Sequence, residues 1–328
     1  MIEAVNLHGI SIVLRTTHHR VLEQWQVLFD YELSAAPPAA AVGESIEIAV
    51  QVDPLPAPLP DREPDYRSNY PPLLVFARPD DILLVPSNLV QVSLDRMAIE
   101  NPVCPGPRAI IKISPEILDN GGFEDVVTLT LAPFLRRRGF YMIHAFTAAL
   151  KGQAVMFSGA SGQGKTTAGL SLVGHEWHFL ANDVALLHEK ESVCAALSPG
   201  TVHADPTTLA LLPQLAAAVE PQQQHPVHGK MSIPRTALLA ERNPPLSATV
   251  TAVYFPEIGG GAGHQIIPLP RAVGLARLME SSMDQWDRPA WQIHVDFLER
   301  LSHQVTFHQL LLGQELSTLS LMIENGLK

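Results

Sequence analysis

Along the first hundred residues, apolar and polar positions alternate in short runs: 10–14 (ISIVL), 46–52 (IEIAVQV), 73–76 and 89–94. A period of two in β-branched segments predicts strands with one buried face. Only 21–29 repeats with helical spacing. Two proline-dense segments, 36–41 and 54–72, interrupt the pattern. Proline fixes φ and removes a donor, so the second, with its high proline density, cannot hold a helix or a central strand. The second is expected to be a surface loop of the N-terminal part.

Past residue 120 the period changes. Segment 122–138 is helical and ends on Arg136, Arg137 and Arg138 before Gly139, a helix stop whose solvated cations suit the negative end of the dipole. Strands are expected at 141–150, 154–158, 178–187 and 306–312, with helices from Lys165 to about 173 and over 271–279, 295–302 and 315–324. Segments 250–255 and 264–268 read as neighbouring strands joined as a hairpin through the glycine-rich run 259–263. The polar stretch 221–229 (PQQQHPVHG) is expected to be a mobile loop. These patterns divide the chain into a smaller β-rich N-terminal domain, 1–120, and an α/β domain, 121–328.

Charge narrows the partners. The 328 residues carry a net charge of -11, and a nucleic-acid-coating protein needs a basic face to neutralise phosphates. No nucleic-acid partner is expected. A small anion is another matter, since one lysine and a few backbone N–H groups can hold it. Lysine is scarce, six against sixteen arginines, so each one near a motif counts. The two cysteines, Cys104 and Cys194, lack metal-ligand spacing and fit a reducing compartment. No basic start followed by an apolar run opens the chain, and no apolar stretch reaches a bilayer-spanning length. The expectation is a cytoplasmic protein without a membrane partner.

One motif carries chemistry. Gly159-Ala160-Ser161-Gly162-Gln163-Gly164-Lys165-Thr166 meets the full phosphate-loop pattern, with an apolar strand before it and a helix after it. Glycines let the backbone wrap so that several N–H groups face one phosphate, and the helix N-terminus adds its positive end. Lys165 is expected on the β- and γ-phosphates of ATP, the Thr166 hydroxyl on Mg²⁺, and Thr167 at the helix start beside them. Eighteen residues past Lys165, Asp183 interrupts an apolar strand. A carboxylate at the end of a neighbouring strand completes the Mg²⁺ site of phosphate-loop enzymes. So short a spacing fits a compact kinase unit.

The run His144-Ala145, Gly152, Phe157 to Thr166, Gly174-His175 and Asn182-Asp183 resembles the catalytic domain of HPr serine kinase/phosphorylase and its related proteins. That family shares its nucleotide fold with ATP-dependent phosphoenolpyruvate carboxykinase. The likeness covers roughly the last two hundred residues, and the N-terminal hundred look like the short β-rich region of the related proteins. It implies a phosphate-loop kinase core of HPr-kinase/phosphoenolpyruvate-carboxykinase type, with His144 beside the phosphates and Asp183 as a catalytic and metal-binding carboxylate. HPr kinases form rings, so the resemblance admits a homo-oligomer. Two departures stand out. The family has successive aspartates where this chain has Asn182 and Asp183, and an amide cannot accept the proton of an acceptor hydroxyl. Thr167 replaces the acidic residue that accompanies reverse phosphorylase activity.

Lesser candidates are Lys230, able to reach the γ-phosphate or acceptor, and Arg271, a cation at a helix start where the dipole disfavours it. His175, His178, His225 and His228 lack the partners of a zinc site, and Trp286 and Trp291 read as packing residues. The resulting expectation is an ATP- and Mg²⁺-dependent kinase acting on a serine or threonine hydroxyl of a protein or peptide. The alternatives are a small-molecule hydroxyl kinase and a non-catalytic ATP-sensing module.

Overall fold

The computed structural model describes residues 1–30, 32, 45–54, 58–69, 71–100, 108–173, 175–216, 229–233, 235–239, 245–259, 261, 263–282 and 285–327. Residues 221–228 of the expected mobile loop 221–229, proline segment 36–41, Gly174, His225, His228 and Cys104 lie outside them. It is a mixed α/β protein of two compact units, Met1–Arg137 and Arg138–Lys328. The boundary falls seventeen residues beyond the expected position (137 against 120), because the helix over Phe123–Arg136 contacts strands of the first unit.

In the first unit, β1 (Ile2–Leu7), β2 (Ile10–Thr16), β3 (Ser45–Val52), β4 (Tyr66–Asn69), β5 (Pro72–Ala77), β6 (Asp81–Ser87), β7 (Val90–Asp95) and β8 (Ala109–Ile113) form one mixed sheet in the order β1-β2-β3-β8-β7-β6-β5-β4. The alternating runs behave as their period requires: in β2, Ile10, Ile12 and Leu14 are buried while the intervening residues are more exposed. His8 and Gly9, both at positive φ, turn β1 into β2. Helix α1 (His19–Leu28) buries Val21, Trp25 and Leu28 and so accounts for the helical spacing at 21–29. The proline segment 54–72 is not all loop. Its end supplies β4, a proline-free stretch (YRSN) held at the sheet edge by β5 alone. Helix α2 (Phe123–Arg136) closes the unit, and its last residue Arg136 is buried at 3% exposure, not solvated as its place at a helix end suggested.

In the second unit, β9 (Phe140–Ile143), β10 (Ala145–Leu150), β11 (Gln153–Ser158), β12 (His178–Ala181), β13 (Ala185–Glu189), β14 (Val193–Ala196), a short pair β15 (Val202–Ala204) and β16 (Met231–Ile233), β17 (Ser247–Ile258), β18 (Gln265–Pro268) and β19 (Thr306–Leu312) alternate with helices. The large sheet runs β12-β10-β11-β17-β14-β13-β9, with β19 on β17 and β18 on β19. β10 is buried along its whole length, as a strand covered on both faces must be. On one face lies α3 (Lys165–Val173), whose Gly169 rests against the Phe146 ring so closely that a Cβ there would overlap it. Helices α4 (Arg271–Glu280), α5 (Arg288–Gln304) and α6 (Leu319–Gly326) complete the unit.

The expected hairpin of 250–255 with 264–268 does not form. β17 and β18 both pair with β19, one parallel and one antiparallel, so β19 lies between them. Two expected strands, 141–150 and 178–187, are each broken, at His144 and at Asn182 to Val184. β9 then pairs with β13 while β10 pairs with β12. The breaks meet in space: the Ala145 N–H donates to the Asp183 carbonyl at 3.2 Å.

Candidate functional site

β11 ends at Ser158 and α3 begins at Lys165, so residues 159–164 form the turn between strand and helix. Gly159, Gly162 and Gly164 stand at φ +142°, +80° and +93°, conformations that L side chains rarely adopt. The Gln163 side chain caps the loop from within, its Oε1 accepting the Ala160 N–H at 2.8 Å. The first N–H groups of α3 have no partner inside the helix and face the loop with the positive end of its dipole. Ala160 and Ser161 are exposed at its rim.

Lys165 is 6% exposed and folds back over the loop, its Nζ donating to the carbonyls of Gly159 at 2.8 Å and Ala160 at 3.0 Å. Burial pulls its pKa below that of a free lysine, Asp183 opposes this, and Lys230 adds to it. The lysine is thus a charge kept partly out of water, which an anion in the loop would stabilise. Lys230 stands close enough to act electrostatically on Lys165 and on His144.

The Thr166 hydroxyl donates to Asn182 Oδ1 at 3.4 Å, and Asn182 Nδ2 donates to Asp183 Oδ2 at 3.0 Å and to the Thr201 carbonyl at 3.5 Å. Asn182 is 5% exposed, and its amide links the helix start to the carboxylate. An aspartate could accept from Thr166 but could donate to neither partner. Asp183 sits at φ +59° with the Val184 N–H bonded back to the Asn182 carbonyl at 2.7 Å. A left-handed non-glycine residue in so tight a turn is strained, and such strain gathers where a side chain must be aimed.

His144 occupies the other break. Its Nδ1 lies 2.7 Å from the Asp183 carbonyl oxygen, which can only accept, so Nδ1 carries the proton and Nε2 the lone pair of the neutral ring. Burial first, then Lys165, holds its pKa below the usual histidine value, against the opposing pull of Asp183. The His144 N–H donates to the Ser281 carbonyl at 2.8 Å just past α4, and Ser158 Oγ donates to the His144 carbonyl at 3.2 Å. Three segments far apart in sequence therefore fix one corner.

Thr167 turns elsewhere: its hydroxyl shares a 2.7 Å hydrogen bond with Thr208 Oγ1. Arg271 contacts His303 Nε2 at 2.6 Å and Ser302 Oγ at 3.4 Å on α5, not the loop. The sequence pattern missed Thr201, His203 and Ser232. His203 is held at both ring nitrogens, by Thr201 Oγ1 at 2.7 Å and Ser232 Oγ at 3.0 Å, across the β15–β16 pair. That ladder places Lys230 one residue before a strand bonded to a neighbour of Asn182. Strands of three residues leave no periodicity to read.

Among the described residues there is no group of three or more His, Cys, Asp or Glu able to hold a metal ion by itself. The donors at hand are one hydroxyl, Thr166, and one carboxylate, Asp183, tied together through Asn182. Such a sparse all-oxygen set suits Mg²⁺, which keeps waters and takes its remaining ligands from a phosphate chain. No helix among the described residues is long and apolar enough to cross a membrane. No family model matches the chain, and no curated protein matches it.

Proposed function

We propose that the second unit is an ATP-dependent kinase of HPr-kinase-like type, with a phosphate-loop core. It transfers the γ-phosphoryl group to a serine or threonine hydroxyl of a protein or peptide. The observation that carries this reading is the Thr166–Asn182–Asp183 chain of hydrogen bonds beside Lys165. A phosphate loop alone fits any nucleotide protein; a metal-type hydroxyl and carboxylate tied together next to the loop lysine, with a second lysine in range, fit phosphoryl transfer.

In this reading the loop N–H groups and Lys165 hold the β- and γ-phosphates, and Lys230 meets the charge that spreads over the transferred group. Thr166 and Asp183 would hold Mg²⁺, which when bound neutralises phosphate charge. The acceptor oxygen forms the new bond to γ-phosphorus as the bond to the β–γ bridging oxygen breaks. The hydroxyl proton leaves to the Asp183 carboxylate, and ADP departs. A loose transition state asks little of a base, so the loss of a carboxylate at position 182 is compatible with transfer. Such a kinase draws on the cytoplasmic ATP pool.

The test is equilibrium binding and turnover of γ-labelled ATP with Mg²⁺ for the wild type, Lys165→Ala and Asp183→Asn. Lys165→Ala is expected to lose binding, and Asp183→Asn to bind but lose label transfer to added peptide hydroxyls. Unaltered binding and turnover in both variants would sink the assignment. Tight binding by the wild type without consumption in the presence of peptide or small-molecule hydroxyls would make the unit a sensing module.

A further inference from the structure

The two flanks of the phosphate loop differ in chemistry. β11, β17 and β19 are adjacent and parallel, so their C-terminal ends reach the same edge of the sheet as the loop. On the β10 side, where Ala145 pairs with Ser158, lie His144 and Asp183. On the other side the strand ends present Ile258 and Leu312. Gly164 touches both: a Cβ on it would stand 2.6 Å from Leu312 Cδ1 and 3.5 Å from Ile258 Cγ1. Leu312 is buried, but Ile258 is 70% exposed, a large aliphatic side chain left in water directly against the loop.

This apolar ledge is also braced. His264 Nδ1 accepts the Gly313 N–H at 3.0 Å and its Nε2 donates to the Glu315 carbonyl at 2.9 Å. The Gln314 N–H reaches the Gly261 carbonyl at 3.3 Å. The segments that follow β17 and β19 are thereby tied together. The exposure of Ile258 therefore belongs to a fixed strand end and not to a loose loop.

We propose that Ile258, with Leu312 beneath it, is the platform for the nucleobase of the bound nucleotide, an inference that rests on the phosphate-loop reading. A triphosphate whose γ end lies toward Asp183 and His144 must run its α-phosphate and sugar toward the opposite flank. There the flat apolar face of a base covers Ile258, and ligands of such sheets do sit outside the carboxyl ends of the strands. The acceptor hydroxyl needs the γ-phosphorus, so it approaches from the Asp183 flank and leaves the ledge to the base.

The ledge is tested by calorimetric binding of ATP and of inorganic tripolyphosphate, each with Mg²⁺, to the wild type, Ile258→Ser and Ile258→Leu. Ile258→Ser keeps the charge of the site and sits where the side chain is exposed. It is expected to weaken ATP about tenfold while changing tripolyphosphate by less than about twofold, with Ile258→Leu close to the wild type. Equal weakening of both ligands, or no change in either, overturns the platform. Wild-type binding of tripolyphosphate as tight as that of ATP overturns it while leaving the loop reading intact. Failure of the wild type to bind either ligand overturns the loop reading and the platform with it.

Discussion

Asn182 Nδ2 donates to Asp183 Oδ2 over 3.0 Å, so a neutral amide orients the carboxylate beside it. The same amide accepts from Thr166 at 3.4 Å, so the start of α3 and the end of β12 are joined through one side chain. Placing an aspartate at 182 would remove both donations and set two carboxylates side by side, one of them buried. Asn182→Asp is expected to lower stability at pH 7 by about 1–3 kcal/mol. Urea denaturation of the variant beside the wild type checks it.

Burial works against the charge of Lys165, so holding that charge weighs on the fold. In Lys165→Met that burden is gone. The ligand-free melting temperature is expected to rise by about 2–4 °C. Mg²⁺ with ATP is expected to raise the melting temperature of the wild type and to leave that of the variant unchanged. A fall in the ligand-free melting temperature would show that the bonds to Gly159 and Ala160 outweigh the desolvation.

Gly169 lies where any Cβ overlaps the Phe146 ring, and Phe146 is fully buried against Phe179 at 5.7 Å between ring centroids. Gly169→Ala must push α3 off the sheet, although alanine is the better helix former. A loss of about 1–3 kcal/mol in chemical denaturation is expected, with ATP binding weakened because α3 carries Lys165 and Thr166.

Tyr254 is 2% exposed, stacked on Phe157 and His308, and burial pushes its pKa up to about 12. The unfolded chain ionises this phenol near pH 10. Between pH 10 and 12 the folded state therefore holds a proton that the unfolded state has released, and stability falls as pH rises through that window. Tyr254→Phe is expected to flatten the alkaline decline in melting temperature. An unchanged slope would place the ionisation elsewhere among the five tyrosines.

His203 bridges Thr201 and Ser232 across β15 and β16, and the next residue before β16 is Lys230. His203→Ala is expected to weaken ATP binding about three- to tenfold by releasing that lysine. Lys230→Ala should weaken it at least as much, and the double variant no further than Lys230→Ala alone. Additive losses in this cycle would give His203 a role of its own.

The loop was legible because each of its requirements is local: glycines at positive φ, an apolar strand before and a helix after, all within twenty residues. The period-two runs likewise revealed β2, β3, β5 and β7, and helical spacing revealed α1 and α2. Other strands escaped notice. β15 and β16 are three residues each, and nothing in their composition pairs segments twenty-nine positions apart. The broken strands at His144 and Asp183 read as continuous apolar runs, since a backbone break driven by a partner thirty-nine residues away leaves no mark on local hydrophobicity.

The sequence by itself determined a glycine-rich turn between a strand and a helix, a carboxylate eighteen residues beyond its lysine and a β-rich first part, because glycine conformation, helix start and side-chain period act over a few residues. The tertiary structure decided the rest: Asn182 as the link between Thr166 and Asp183, β19 inserted between β17 and β18, and Ile258 left exposed against Gly164. Those outcomes depend on which distant strands pair, and long-range pairing is settled by the packing of whole faces, not by the residues at either end alone.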